Sequence, residues 1–335
     1  MASHPQAQQI IGEAPVFLEM LEHVSRAAPL SKPVLVVGER GTGKELIASR
    51  LHFLSERWEQ RVVKVNCAAL TESILESELF GHEAGAFTGA ATTHIGHFAD
   101  GGTLILDELA TISLRMQEKI LRTIEYGEVQ RVGGSDTLQV DVRIVGSTNA
   151  DLRRLASEGK FREDLLDRLA FDVITVPPLR ERVEDIMPLA HAFAINMASE
   201  LKWSYFPGFS ARASSALLRN KWPGNVRELK NTVERSVYRS SDPEKSITSL
   251  ALDPFDTPFS IEEAPSDAAT RAPAARRAPL LPTDLEERLK DTEVDLLSAA
   301  LEKAKFNQRL AADLLGLSYH QFRGKLRKFE IRSKP

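Results

Sequence analysis

A short glycine-rich string constrains the fold of this chain more than any other feature. It reads Gly38-Glu-Arg-Gly-Thr-Gly-Lys44, follows the apolar run Val34–Val37 and precedes a predicted helix over Glu45–Leu54. The pattern G-x-x-x-x-G-K between a strand and a helix binds phosphates through backbone N–H groups and the helix N-terminus, with the lysine on the outer phosphates. The alternative is a chance glycine-rich turn. The string therefore predicts a nucleotide site on an α/β sheet.

Two acidic residues follow another apolar run. Thr103–Leu106 is succeeded by Asp107 and Glu108. At the carboxyl edge of a parallel sheet, Asp107 suits Mg²⁺, usually through water, and Glu108 suits polarising an attacking water. Glu45 stands where Ser or Thr commonly binds the metal, so it is a further candidate ligand. Asn149, beyond the run Val142–Val145, is either a sensor of the outer phosphate or a turn residue.

Short apolar runs alternate with helical patterns in the first half of the chain, and this alternation predicts a parallel sheet covered on both faces. From Glu184 to Ser240 the pattern is wholly helical. Six of the 17 prolines then fall between Pro254 and Pro282, in a stretch too poor in apolar residues to order itself. We predict an α/β subdomain at 8–175, a helical lid at 176–252, a linker at 253–283 and a terminal domain at 284–335.

Composition excludes several classes of protein. Cys67 is the sole cysteine, which excludes an internal disulfide framework and suits a reducing compartment. No apolar run approaches the roughly 20 residues of a membrane span, and no signal peptide is evident. We expect a cytoplasmic, nucleoid-associated protein with no membrane insertion.

The net charge of −4 is unevenly distributed. Residues 303–335 contain nine Lys or Arg and two acidic residues, a net charge of +7, which leaves −11 for the rest of the chain. This basic end indicates an anionic partner, or else a solvated tail.

The basic end has the helix pattern of a helix-turn-helix. Helices are predicted over Asp291–Lys305, Gln308–Leu315 and Tyr319–Phe329, with a turn at Gly316 between the last two. In such units the second helix reads base edges near its start and phosphates later. The alternative is a three-helix bundle without DNA binding. The candidate DNA-binding residues are Ser318, Tyr319, His320, Gln321, Arg323, Lys325, Arg327 and Lys328.

One string carries a family resemblance. Gly85-Ala-Phe-Thr-Gly-Ala90, together with the P-loop, Phe161–Leu169 and Trp222–Leu229, resembles bacterial enhancer-binding proteins, the AAA+ activators of sigma-54 RNA polymerase. The resemblance covers nearly the whole chain. It implies an AAA+ P-loop ATPase with a parallel sheet and a helical lid, plus a C-terminal all-α helix-turn-helix domain of the Fis type. It is strongest to members without an N-terminal regulatory domain that act on membrane-stress genes.

The resemblance implies roles for individual residues at the nucleotide. Asn66 is expected to restrain Glu108, and Arg162 and Arg168 to reach the ATP of a neighbouring subunit, although either arginine could instead pair with a nearby acidic residue. Arg227 is expected to sense nucleotide from the lid, or else to pair with an acidic residue on its own helix. The implied nucleotide contacts are Gly38, Glu39, Arg40, Gly41, Thr42, Gly43, Lys44, Glu45, Asn149 and Arg227.

The resemblance also implies partners. Residues Gly85, Ala86, Phe87, Thr88, Gly89 and Ala90 are expected to contact sigma-54. A second loop, at about 128–138, is expected to support them, and the segment 96–103 is shorter than the family pattern and lacks an acidic residue thought to couple loop and site. Trp58 either folds back onto its helix or contacts a trans-acting negative regulator.

The expected assembly is a hexameric ring, with dimers formed through the DNA-binding domain. Its expected ligands and partners are ATP, Mg²⁺, sigma-54, the RNA polymerase holoenzyme and double-stranded enhancer DNA. Two other functions remain open, namely an ATP-regulated DNA-binding repressor and an AAA+ remodeller of another DNA-bound complex.

Overall fold

The structure is a computed structural model that describes residues 10–240, 242–254, 285–304 and 306–329. The chain divides into two compact units, Met1–Ser260 and Ile261–Pro335. Nearly all of the predicted linker lies outside the described residues.

The first unit is built on a five-stranded parallel sheet with the order β2-β5-β8-β1-β9. This confirms the predicted parallel α/β fold. The order brings the strands that precede the P-loop, Asp107 and Asn149 side by side, because β8 lies between β5 and β1. The strands of the unit are β1 Val34–Val37, β2 Val62–Asn66, β3 Gly81–His82, β4 His94–Ile95, β5 Gly102–Asp107, β6 Glu128–Gln130, β7 Thr137–Gln139, β8 Val142–Thr148 and β9 Asp172–Thr175.

Helices cover both faces of the sheet, and the strand residues alternate between the two cores. Val34 and Val36 pack with the first two helices, whereas Leu35 packs with the next four. Such alternation follows from the two-residue side-chain period of a strand. The helices of this layer are α1 Pro15–Ala27, α2 Lys44–Phe53, α3 Glu72–Phe80, α4 Leu114–Tyr126, α5 Leu152–Ser157 and α6 Glu163–Leu169.

The lid consists of α7 Ile186–Glu200, α8 Ala211–Arg219 and α9 Asn225–Tyr238. Its core is centred on Trp222, which is fully buried and donates its indole N–H to the Leu217 carbonyl at 2.8 Å. A buried indole needs such a partner, and this bond fixes the turn that leads into α9.

The second unit contains α10 Leu285–Lys303, α11 Gln308–Leu314 and α12 Tyr319–Lys328. The three predicted helices are present, but α10 begins at Leu285 rather than Asp291. Its added first turns, Leu-Glu-Glu-Arg-Leu-Lys, consist of strong helix formers. Phe322 and Leu326 of α12 are buried against α10 and α11, which leaves the charged side of α12 facing outward.

Candidate functional site

The P-loop forms a closed turn between β1 and α2. Gly41 and Gly43 adopt left-handed backbone conformations, with φ of 76° and 100°. Lys44 is buried, and its ammonium donates to the carbonyls of Gly38 at 3.0 Å and Glu39 at 3.1 Å. Burial lowers the pKa of Lys44, and the nearby carboxylates of Glu108 and Asp107 oppose that shift. The lysine is thus held across the mouth of the loop.

The two acids lie at the carboxyl end of β5. The Ser147 hydroxyl, near the end of the neighbouring β8, donates a hydrogen bond to Asp107 Oδ1. Glu108 has a left-handed backbone, with φ of 52°, and its carbonyl accepts from the Thr111 hydroxyl at 2.8 Å. Such strain in a non-glycine residue is typical of functional sites. Both acids are close enough to Lys44 to affect its pKa.

Asn66 and Thr148 end the strands on either side of β5. Asn66 pairs in register with Asp107, and its side-chain oxygen accepts from the Ala68 N–H at 2.9 Å. The Thr148 hydroxyl accepts from the Ala150 N–H at 3.1 Å, which turns the chain directly after Asn149. The structure therefore brings Asn66 beside the acids, while its restraint of Glu108 stays a prediction.

Glu45, a candidate metal ligand, is paired with a lysine. Lys64 of β2 donates to its carboxylate at 3.0 Å, and both side chains are largely exposed. Within the described residues, no group of three or more His, Cys, Asp or Glu side chains is arranged to hold a metal ion.

The lid contacts the P-loop directly. Arg180 forms two hydrogen bonds to the Glu39 carboxylate, at 2.6 and 2.8 Å, and lowers the pKa of Glu39 to about 2, with a further contribution from Asn225. Arg182 is buried and donates to the Thr42 carbonyl at 2.8 Å. These bonds join the segment that leads into the lid to the phosphate loop.

Arg227 lies in the first turn of α9, and its backbone N–H donates to the Gly41 carbonyl at 3.3 Å. The acids that could have paired with it on the helix have other partners. Glu228 accepts from the Gly224 N–H at 2.7 Å, and Glu234 contacts Lys230 at 3.7 Å. The Arg227 side chain is exposed beside the P-loop, as a nucleotide sensor requires.

Both candidate arginine fingers are on the outer surface and ion-paired. Arg162 binds both oxygens of Asp164, at 3.0 and 2.7 Å, and Arg168 binds Glu125 at 2.9 Å. Arg162 thus pairs with an acid close to it in sequence, as the alternative expected, whereas the Glu125 partner of Arg168 is 43 residues away. Exposed pairs of this kind are weak, so they do not prevent the arginines from reaching another subunit.

The 83–93 segment rises from the short β3–β4 pair. Phe87 at its tip is 47% exposed, with one edge of its ring on His82 at 4.9 Å between ring centroids. Gly85 and Gly89 have left-handed backbones, and a Cβ on either would meet nothing within 4 Å. This is an open loop that presents an aromatic ring.

The β6–β7 hairpin, which occupies the predicted second loop at about 128–138, supports the base of that segment. Arg131 binds Glu83 at 2.7 Å, and the backbone of Val132 exchanges hydrogen bonds with Gly81 and Glu83 at 2.9 and 3.0 Å. In the shortened segment, Phe98 is buried and stacks on Phe80. Glu83 thus supplies a carboxylate at the loop base.

Trp58 is 57% exposed, so it does not fold back onto its helix. Next to it, Arg57 binds Asp141 at 2.6 Å. Its exposure agrees with a contact surface, while its role stays a prediction.

Helix α12 has a capping box. Gln321 N–H donates to the Ser318 hydroxyl at 3.4 Å, and Ser318 N–H donates to Gln321 Oε1 at 3.0 Å. Lys325 is half-buried and bound to Glu293 of α10, whereas Tyr319 is half-buried under Arg309. The residues of the candidate set that are exposed are Ser318, His320, Gln321, Arg323, Arg327 and Lys328.

The chain matches three protein families along its length. Residues 10–175 match the sigma-54 interaction domain, 180–264 the AAA+ ATPase lid domain, and 288–329 the Fis family of bacterial regulatory proteins. The chain is 57% identical over 324 residues to the Psp operon transcriptional activator of Escherichia coli K12, covering 96% of this chain and 98% of that protein.

The chain belongs to the sigma-54-dependent transcription activators.

Another activator-like relative and a solved structure agree with this membership. The regulatory protein AtoC of Escherichia coli K12 is 40% identical over 324 residues, covering 96% of this chain and 68% of that protein. The crystal structure of NtrX from Brucella abortus in complex with ATP has a TM-score of 0.67 at 30% identity, covering 96% of this chain and 70% of that one.

This sigma-54 activator is an ATPase that binds nucleotide, acts on sigma-54 RNA polymerase and carries a Fis-type DNA-binding domain. Among the described residues, no helix is both long and apolar enough to cross a membrane. The domain boundaries drawn from sequence stay predictions.

Sequence reasoning missed three residues of this activator's nucleotide edge, namely Ser147, Arg180 and Asn225. Ser147 directly precedes Thr148 at the end of a strand, so the strand ending could have revealed it. Arg180 and Asn225 act across distances in sequence of 141 and 186 residues, and no local pattern reports such a contact.

Proposed function

We propose that this chain binds ATP with Mg²⁺ at the carboxyl edge of its sheet and that hydrolysis drives the Gly85–Ala90 loop against sigma-54. One observation carries the proposal. Lys44 begins α2 directly after the P-loop, and Asp107 and Glu108 stand at the end of β5, so close to the lysine that they raise its pKa against the lowering caused by burial. A cation for the phosphates, a carboxylate for a metal and a carboxylate for water are the parts that phosphoryl transfer needs.

The donor set at this edge fits Mg²⁺. Asp107 offers a carboxylate oriented by Ser147, and Mg²⁺ commonly takes one or two carboxylates together with waters and substrate phosphates. When bound, the ion neutralises charge on the outer phosphates. Glu45 is a weaker candidate because Lys64 already binds it.

Glu108 is the proposed base. Glu108 directly follows β5, and its left-handed backbone interrupts the extended conformation of the strand. The outer phosphate of the nucleotide would lie at this end of β5. Asn66, which pairs in register with Asp107 on the adjacent strand, would restrain Glu108. Asn149 and Arg227 would report the outer phosphate to the sheet and to the lid.

We propose that the ATP site is completed by a second subunit in a hexameric ring. Arg168 is exposed on a short helix, and Arg162, which directly precedes that helix, is partly exposed. A cation supplied by a neighbour can raise phosphoryl-transfer rates by about 10³–10⁵-fold. In the ring, Arg162 and Arg168 would leave Asp164 and Glu125 and bind the nucleotide of the neighbouring subunit instead.

We propose that α12 binds enhancer DNA, with dimers through the same domain. The exposed His320, Gln321 and Arg323 lie near its start, and Arg327 and Lys328 near its end, as base and phosphate contacts require. The near full-length similarity to the Psp operon activator supports a related membrane-stress operon as the target. The exposed Trp58 would contact a negative regulator of that system.

Open-complex formation with purified sigma-54 RNA polymerase tests the central proposal. With ATP the protein should melt the promoter, and with a non-hydrolysable analogue it should not. Glu108→Gln should retain ATP binding and lose promoter melting, whereas Glu200→Gln, an exposed acid of the lid, should behave as the wild type. A repressor that uses ATP only for assembly would keep its function in Glu108→Gln, and melting without hydrolysis would refute the proposal.

A further inference from the structure

Asn225 links the P-loop to the lid through three side-chain hydrogen bonds. It is fully buried, and its backbone is left-handed, with φ of 54°. Its side-chain oxygen accepts from the Leu179 N–H at 2.8 Å, and its amide nitrogen donates to Glu39 Oε2 at 3.1 Å and to the Arg40 carbonyl at 3.0 Å. One side chain thus joins the phosphate loop, the segment leading into the lid and the start of α9.

The Glu39 carboxylate that Asn225 binds is itself held in place. Arg180 binds both of its oxygens, at 2.6 and 2.8 Å. The resulting triad of Glu39, Arg180 and Asn225 is a hydrogen-bonded clamp, because charge-assisted bidentate pairs fix orientation as well as distance.

The clamp sets how closely α9 approaches the phosphate loop. A Cβ on Gly41 would lie 2.3 Å from the Gly224 carbonyl, immediately before Asn225. Two residues after Asn225, the Arg227 N–H donates to the Gly41 carbonyl. Any rotation of the backbone at Asn225 therefore moves Arg227 relative to the phosphates.

We propose that Asn225 is a positioning residue for ATP turnover, which fixes Arg227 beside the P-loop through its hydrogen bonds to Glu39, Arg40 and Leu179. This inference rests on the proposed function, in which Arg227 and residues 38–45 bind nucleotide. Asn225 acts through Arg227 and makes no contact with the reacting atoms. The clamp transmits movement of the P-loop to the lid, and movement of the lid to the P-loop.

Two substitutions separate the side chain from the backbone. Asn225→Gly keeps the left-handed conformation without steric strain and removes the three side-chain hydrogen bonds. Asn225→Asp keeps the size but places an oxygen against the Glu39 carboxylate. Both should raise the KM for ATP by about tenfold, since buried polar partners are left unsatisfied, with a smaller fall in kcat. Asn231→Asp, an exposed position on the same helix, is the matched control and should leave both constants unchanged.

The deciding measurement is a double-mutant cycle with Arg227→Ala, using KM and kcat of the full chain. If Asn225 acts through Arg227, Asn225→Gly should change KM by less than about twofold in the Arg227→Ala background. The nucleotide-induced rise in Tm should be reduced in Asn225→Gly, and circular dichroism without nucleotide should confirm that each variant is folded.

The outcomes distinguish the clamp from the nucleotide site. An Arg227→Ala protein with wild-type KM and kcat would refute the role of Arg227 itself, and the coupling with it. A different result would refute only the proposed role of the clamp. In it, Arg227→Ala changes KM or kcat, and Asn225→Gly still raises KM by the full tenfold in the Arg227→Ala background. A wild-type KM in folded Asn225→Gly would also overturn the role of the clamp.

Discussion

The P-loop and the 83–93 segment are both glycine-containing turns next to strands, yet Gly41 of the first serves a different purpose from Gly85 and Gly89 of the second. At Gly41, a side chain would collide with the Gly224 carbonyl at 2.3 Å, so the glycine permits close packing of loop and lid. At Gly85 and Gly89, a side chain would meet open space, and glycine permits only the left-handed backbone. The P-loop is locked from outside by the lid, whereas the 83–93 segment is held at its base and where Gly133 approaches Ala86.

This difference suits the two tasks. A phosphate site must be preorganised, because transition-state stabilisation depends on groups fixed before reaction. A loop that engages and releases a partner must instead be able to move on hinges. The buried Lys44 and the 47% exposed Phe87 represent the two cases.

The largest effect is expected at the locked turn. Lys44→Ala removes the cation that the Gly38 and Glu39 carbonyls orient, and ATP turnover should fall by about 10²–10³-fold or more, as for loss of a preorganised donor. Isothermal titration with ATP and steady-state hydrolysis measure this. Lys160→Ala, which loses only an exposed pair with Glu158, is the control, and normal turnover in Lys44→Ala would refute the site.

A matched pair of glycine substitutions tests the comparison itself. Gly41→Ala should lower Tm strongly and raise the KM for ATP by about tenfold or more, because it adds a backbone collision to left-handed strain of about 1–2 kcal/mol. Gly85→Ala adds only the strain and should leave the KM for ATP unchanged. Equal effects of the two on ATP binding would show that the turns are not held differently.

The glycine contrast also shows what sequence patterns can and cannot establish. The five central strands, the P-loop, the acids after β5 and the helix pairs of the second unit were predictable, since each depends on local periodicity or spacing. The order of the strands in the sheet was not predicted and is a finding of the structure.

The remaining contacts depend on distant parts of the chain. Glu39 looks like any loop residue until Arg180 and Asn225 are brought to it by the lid. Likewise, the Glu83–Arg131 pair depends on a hairpin packing against another loop. Polar pairs between distant residues produce no periodic pattern in the sequence, so only the structure reveals them.

In the 83–93 segment, Thr88→Ala should separate ATP hydrolysis from contact with sigma-54. Thr88 is exposed and is followed by a glycine with open surroundings, so its truncation should change ATPase activity by less than about twofold. Sigma-54 binding with a transition-state analogue should weaken by about tenfold, as for a central interface residue. Thr92→Ala, an exposed position nearer the loop base, is the control. Retained promoter melting in Thr88→Ala would contradict the loop assignment.

The smallest effect concerns the charge that locks the P-loop. Hydrogen bonds from Arg180 and then Asn225 lower the pKa of Glu39 from 4.5 to about 2. A lowered folded-state pKa gives stability that is present above pH 4.5 and is lost as pH falls toward 2. The Tm difference between wild type and Glu39→Gln should therefore be largest above pH 5 and shrink steadily below it.

That difference should be modest, about 1–2 °C, because the Glu39 and Arg180 side chains are 44% and 48% exposed and solvent screens the pair. It should also shrink in 1 M salt, where the screening length falls to about 3 Å. Glu200→Gln supplies the baseline for losing an exposed acid. A wild-type minus Glu39→Gln difference that stays constant from pH 6 to pH 3 would mean that the lock depends on shape and hydrogen bonding rather than on the charge of Glu39.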